Sequence, residues 1–174
     1  MLQHDHLFEW RTVYRNVLLG AEINKALTPE IKKRASELLE QYGLKRFALS
    51  KPSELSGGMR QRAALIRTLL LEPELLLLDE PFSALDYQTR LTVSDDIGQI
   101  IRRSGKTALL VTHDLSEAVS LSDRVIVLTK RPARILRIIP VTFSLESDTP
   151  LKRRNAPEFK NYFNQIWKEL NSDE

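Results

Sequence analysis

Three short segments bring together residue types that can act on a phosphate. The first is Leu55-Ser56-Gly57-Gly58-Met59-Arg60-Gln61-Arg62, set directly before a helical stretch. A serine and two glycines leave backbone N–H groups open to an anion, and the helix behind them presents its positive end. Taken alone, an ordinary helix cap with two flexible glycines explains this segment equally well. The second is Leu75-Leu76-Leu77-Leu78-Asp79-Glu80-Pro81, an acidic pair at the end of an apolar run. Ligands of α/β sheets bind beyond the carboxyl ends of the strands. There Asp79 could hold Mg²⁺, directly or through water, and Glu80 could polarise a water for attack on a phosphate. A solvated turn accounts for acidic residues, but not for their place at the end of such a strand. The third is Leu109-Leu110-Val111-Thr112-His113-Asp114. A lone histidine is more often structural. Beside the other two segments, His113 could contact a transferring phosphoryl group and orient the attacking water.

These residues need strands that end at one edge and helices that start there. Leu75–Leu78 is bounded by Pro73 and Pro81, which suits a strand buried on both faces. Residues 84–103 read as a helix stopped by Gly105, residues 107–112 as a second buried strand and residues 115–121 as a short helix. Residues 124–129 and 135–141 read as two more strands. This alternation is that of an α/β fold with parallel strands.

Upstream, residues 12–24 read as a short amphipathic helix. Thr28-Pro29-Glu30 starts another, which carries Ile31, Ala35, Leu38, Leu39 and Tyr42 on one side and stops at Gly43. Residues 59–71 form a third, with Met59, Ala63, Ile66 and Leu70 inward. Residues 144–157 read as loop. A last helix carries Phe159, Tyr162, Phe163, Ile166, Trp167 and Leu170 on one stripe. Its mixed charge, Glu158 and Glu169 beside Lys160 and Lys168, predicts a docked element and not a membrane-surface helix.

Composition narrows the options. The 174 residues are 42% hydrophobic and 28% charged, the balance of a globular protein. With no cysteine, disulfides, a thiolate zinc site and a cysteine nucleophile are excluded. Three histidines leave little for a histidine-built metal site, and a net charge of +3 does not call for nucleic acid. No apolar run reaches the ~18–20 residues of a membrane span, and no signal peptide is legible. A cytoplasmic chain is expected.

The segments, in this order, resemble the nucleotide-binding subunit of an ABC transporter, over residues 1–130. Leu55–Arg62 is similar to the signature motif, with Met59 where many members have glutamine. Leu75–Pro81 is similar to the Walker B segment with its glutamate, and Ser83-Ala84-Leu85-Asp86 to the D-loop. His113 matches the switch histidine. Met1-Leu2-Gln3 is similar to the end of the strand that carries the Q-loop glutamine. Leu7–Val13 and Lys130–Ile135 resemble an importer branch that serves nitrate, sulfonate, taurine and related solutes.

The resemblance implies a partial P-loop NTPase (ABC ATPase) fold: an α/β domain over 1–143, with a parallel sheet, flanking helices and a helical subdomain at about 12–75. A tail over 144–174 would carry a helix at about 158–170. It implies ATP and Mg²⁺. Asp79 and Gln3 would serve the metal, and Glu80 and His113 the hydrolysis. Gln3, Ser56, Gly57, Gly58 and Asp86 would bind nucleotide, the signature residues reaching a partner subunit's ATP in a head-to-tail homodimer. Transmembrane permease subunits would hold the protein at the cytoplasmic face of the inner membrane, with a solute-binding protein as an indirect partner and no nucleic acid.

None of the six glycines opens a G-x-x-x-x-G-K-[ST] loop. A chain beginning at the Q-loop, after that Walker A segment, is expected in preference to a degenerate ATPase. Two functions follow: an ATP-hydrolysing subunit that powers solute import, inactive as this isolated chain, or a non-catalytic module that only docks or dimerises. A soluble ABC ATPase of DNA repair or translation fits less well, since those carry two cassettes or long coiled-coil insertions.

Overall fold

The computed structural model describes residues 5–171, in two compact units that meet in sequence at Leu109/Leu110.

The first unit opens on a loop pinned by Asn16, which is fully buried. Its side-chain amide donates to the carbonyls of Phe8 (3.1 Å), Arg11 (3.2 Å) and Thr12 (3.0 Å), and its Oδ1 accepts from the Phe8 amide at 2.7 Å. The stretch expected as one helix over 12–24 is two, α1 (Val13–Val17) and α2 (Leu19–Ile23), broken at Leu18. Helix α3 (Pro29–Gln41) follows as its start signals dictate: Thr28 Oγ1 accepts from the Ile31 amide at 3.3 Å, and Pro29 sits where its missing N–H costs nothing. Gly43 ends it at φ +73°, a conformation that L side chains avoid.

Two 3₁₀ turns (Lys45–Phe47, Pro52–Glu54) lead into α4 (Gly57–Leu69). This helix is the core of the unit. It packs on α1 and α3, and on α5 (Tyr87–Ser104), and its Ala63, Leu65 and Ile66 are fully buried together with Val13, Val17, Leu39 and Ile97. Strand β1 (Leu75–Asp79), α5 and β2 (Thr107–Val111) make the strand–helix–strand unit of a parallel sheet.

Burial of β1 on both faces, as expected from its four leucines, is not what forms. Leu76 and Leu78 are buried, while Leu75 and Leu77 are 48% and 56% exposed. In β2, Leu109 and Val111 are also about half exposed. The strand alternates because successive side chains leave opposite faces and only one face is covered.

The second unit holds α6 (Leu115–Leu121), β3 (Arg124–Leu128), β4 (Ile135–Pro140), α7 (Pro150–Arg154) and α8 (Pro157–Asn171). Strands β3 and β4 pair antiparallel, with Ile126 opposite Ile138, where the alternation had suggested parallel strands. The reason is length. Residues 129–134 form a tight turn, closed by Thr129, whose amide donates to the Arg134 carbonyl at 2.9 Å; a parallel return needs about a dozen residues or more. Val119, Val125, Val127, Ile139, Val141 and Ile166 form the core, flanked by Phe143, Phe159 and Tyr162.

The segment expected as loop over 144–157 contains α7, which positions a buried arginine. Arg153 is 3% exposed. Its guanidinium grips Asp148 with two hydrogen bonds (2.5 and 2.6 Å) and donates to the Ser122 carbonyl at 2.7 Å. It also lies 5.0 Å from the Phe143 ring centroid. A charge in that position is tolerated because its donors are matched.

Candidate functional site

The start of α4 shows what the glycines do. Ser56 is the N-cap, its Oγ accepting from the Met59 amide at 3.4 Å, so the helix begins at Gly57, two residues before the expected start. Gly57 and Gly58 are therefore first-turn residues and not a free loop. A Cβ on Gly58 would stand 2.5 Å from Val93 Cγ2 of α5, and one on Gly57 would stand 3.0 Å from Leu85 Cδ2. The absent side chains let the start of α4 approach α5 and the 83–86 turn. That approach places Ser56, Gly57 and Gly58 beside the turn, with the positive end of α4 behind them.

The end of β1 forms the other side of this arrangement. Asp79, its last residue, is exposed. Glu80 follows with φ +41°, in the left-handed region that a non-glycine residue rarely adopts. Its carbonyl accepts from both the Ser83 amide (3.3 Å) and the Ser83 hydroxyl (3.0 Å). Phe82, 1% exposed, anchors this turn in the core, and its carbonyl accepts from the Leu85 amide at 3.1 Å. Asp86 ends the turn as N-cap of α5, its Oδ1 accepting from the Thr89 amide at 3.0 Å. Hydrogen bonds from the Thr89 side chain and then the Thr89 amide hold the Asp86 carboxyl below its usual 3.8, against a small opposing effect of burial.

His113 belongs to the second unit, where it is exposed between two polar anchors. Thr112 Oγ1 donates to Glu117 Oε2 at 2.8 Å and accepts from the Asp114 amide at 3.0 Å. Asp114 caps α6, its Oδ1 accepting from the amides of Ser116 (2.7 Å) and Glu117 (3.1 Å). These bonds fix the backbone on both sides of the histidine.

Gln3 lies outside the described residues. The residues just after it hold a charge cluster that the sequence did not announce. Arg60, in the segment that opens α4, donates through Nε to Asp5 Oδ2 (2.8 Å) and through Nη2 to Asp5 Oδ1 (3.2 Å). Its Nη1 pairs with Glu9 at 2.7 Å. Arg67, two turns further on, donates to the carbonyls of Asp5 (2.7 Å) and His6 (2.8 Å). Burial acts most strongly on Asp5 and would raise its pKa. The hydrogen bonds from Arg60 and the Leu7 amide, with the charges of Arg60 and Arg67, outweigh it and leave the carboxyl below 3.8. The only signal in the sequence is opposite charge some 55 positions apart, which no local pattern links.

Among the described residues no group of three or more His, Cys, Asp or Glu side chains could hold a metal. A single exposed carboxylate such as Asp79 suits Mg²⁺, which keeps most of its waters and takes its remaining ligands from substrate phosphates. The helix start and the strand-end carboxylates likewise suit a phosphorylated ligand.

The ABC transporter family model matches residues 1–83. An ABC transporter ATP-binding protein of Bacillus subtilis, YtlC, is 48% identical over 99% of this chain and 66% of its own length. The aliphatic sulfonates import ATP-binding protein SsuB of Bacillus licheniformis is 41% identical, over 100% of this chain and 65% of that protein. The nitrate import ATP-binding protein NrtD of a Synechocystis species is 39% identical, over 95% and 64%. The chain thus spans about two thirds of the length of these curated relatives. Among solved structures, the dimeric post-hydrolysis state of the ATP-binding cassette MJ0796 bound to ADP and Pi superposes with a TM-score of 0.61 at 33% identity, covering 81% of this chain and 61% of that one. With Ser56–Gly58, Asp79–Glu80 and Ser83–Asp86 in this order and setting, the chain belongs to the ABC transporter ATP-binding family.

Proposed function

We propose that this chain is the signature-bearing and Walker B-bearing part of an ATP-hydrolysing subunit that powers import of a small solute. The observation that carries the reading is the end of β1: Asp79 exposed at the strand terminus, then Glu80 in a left-handed backbone tied to the 83–86 turn, which the start of α4 touches. The names of the sulfonate and nitrate relatives support the importer class. The dimeric neighbour supports pairing with a second subunit, and no helix of the described residues is long and apolar enough to cross a membrane. Permease subunits would therefore hold the protein at the cytoplasmic face of the inner membrane, against the helical region at about 12–75, with a solute-binding protein acting through them. The ATPase part would span residues 1–143 and the tail residues 144–174.

In this mechanism Asp79, with Gln3, would hold Mg²⁺, which would neutralise phosphate charge. Glu80 accepts the proton of the attacking water through its carboxylate. His113 donates a hydrogen bond toward the developing charge on the γ-phosphate. Ser56, Gly57 and Gly58 offer the helix start to the nucleotide of the partner subunit, with Asp86 nearby in the D-loop. The six glycines include none in a phosphate-cradling loop, so a second reading applies to the chain on its own: a module that docks or dimerises without turnover.

The test is a chimera in which the front third of YtlC precedes this chain. It should hydrolyse ATP. Glu80→Gln should lower the rate by about 10²–10⁴-fold and keep ATP binding, since an amide cannot take the proton. Asp79→Asn should weaken Mg²⁺ and with it nucleotide affinity. A Glu80→Gln chimera that turns over within a few-fold of the parent removes Glu80 from the role of base.

A further inference from the structure

We infer that Ser83 is a positioning residue for Glu80, its hydroxyl and amide together fixing the backbone from which the Glu80 carboxylate extends. The inference rests on the reading of Glu80 as the base. Glu80 stands at φ +41° and precedes Pro81. A residue before proline is disfavoured in the right-handed helical region. Glu80 is left with two choices: to continue extended along the line of β1, or to turn back in the left-handed region.

The carbonyl decides between them. Its oxygen accepts from Ser83 N at 3.3 Å and from Ser83 Oγ at 3.0 Å, which uses both of its lone pairs. This fixes the peptide plane between Glu80 and Pro81. Beyond that plane, buried Pro81 and the buried ring of Phe82 anchor the chain in the core. The plane on the other side of Glu80 is the end of β1. With both planes fixed, φ and ψ of Glu80 are set, and with them the direction of the Cα–Cβ bond from which its carboxylate extends. Pro81 has no N–H to contribute, so the pinning depends on Ser83. The hydroxyl bond is the shorter of the two, and it is the one a substitution can remove without touching the backbone.

The 174-residue chain tests the geometry without any nucleotide. Amide hydrogen exchange over residues 80–86 should quicken by about 2–10-fold in Ser83→Ala, the worth of one hydrogen bond, and return to the parent rate in Ser83→Thr. Unchanged exchange in Ser83→Ala overturns the inference. In the YtlC chimera, Ser83→Ala should lower kcat by about tenfold and leave KM for ATP within about twofold, with Ser83→Thr restoring the rate. In a Glu80→Gln background, Ser83→Ala should cause no further loss, because its effect runs through the carboxylate. A parental kcat in Ser83→Ala, or the same fold-loss in both backgrounds, overturns it. A chimera with no hydrolysis at all counts against the reading of the chain as part of an ATPase, and the exchange result then decides on Ser83 alone.

Discussion

Gly58 illustrates how one missing side chain can hold two helices at their working distance. A Cβ there would stand 2.5 Å from Val93 Cγ2, well inside contact distance. Gly58→Ala should therefore destabilise the protein by about 1–3 kcal/mol, the usual cost of overpacking, and should be relieved by Val93→Ala. Denaturant unfolding of the single and double variants reads this directly. If Gly58→Ala matches the parent, the glycine serves the ligand and not the packing. Asp5 carries a pH dependence. Its carboxyl is held below 3.8 in the folded state, so its contribution to stability is fully present above that value. It is lost as pH falls through the lower folded pKa, where protonation breaks the pairing with Arg60. Stability should drop on acidification below about pH 4, and Asp5→Asn should flatten that limb of the curve. An unchanged acid limb in Asp5→Asn would show that other carboxylates dominate it.

Helix α8 packs on its own unit, as its charge pattern suggested. Ile166 is 3% exposed. Tyr162 Oη accepts from the Thr142 amide and donates to the Thr142 carbonyl, each at 3.1 Å. Arg137 and Glu169 pair at 3.1 Å between β4 and α8. Trp167, on the same stripe in the sequence, is instead 55% exposed. The stripe is wider than the surface it covers, so its edge faces solvent. Ile166→Ala should cost about 2–5 kcal/mol of stability, while Trp167→Ala should stay within about 0.5 kcal/mol. Liposome flotation should leave the protein unbound. Lipid binding abolished by Trp167→Ala would make α8 a membrane-surface helix after all.

Each unit of the molecule leaves one face of its sheet uncovered. In the first, Leu75 and Leu77 of β1 and Leu109 of β2 are exposed; in the second, Ile126, Leu128, Ile135 and Ile138 are. Apolar area of this kind drives association. The chain should bind an apolar dye and self-associate as its concentration rises, and Leu75→Lys should reduce both. A monomer at high concentration with no dye binding would contradict this. The isolated chain should also bind Mg-ATP weakly, because its six glycines include no phosphate-cradling loop. A saturable micromolar affinity by titration calorimetry would overturn that expectation.

Much was legible from residues that act on their near neighbours. Thr28 before Pro29 starts α3, Gly43 stops it, and Gly105 closes α5 at φ +65°. These signals work over a few residues and survive any surroundings. So do the segments that set Ser56, Gly57 and Gly58 at the start of a helix and Asp79 at the end of a strand. Tertiary structure decided the rest. Four leucines in a row look buried on both faces, yet only Leu76 and Leu78 found a covering layer, because cover comes from elsewhere in a chain. Gly58 reads as flexible until Val93 is brought against it. Asp5 and Arg60 lie 55 positions apart, and only packing makes them a pair. The left-handed backbone of Glu80 has no signature of its own, since glutamate does not prefer it; the turn that Phe82 anchors and Ser83 pins imposes it.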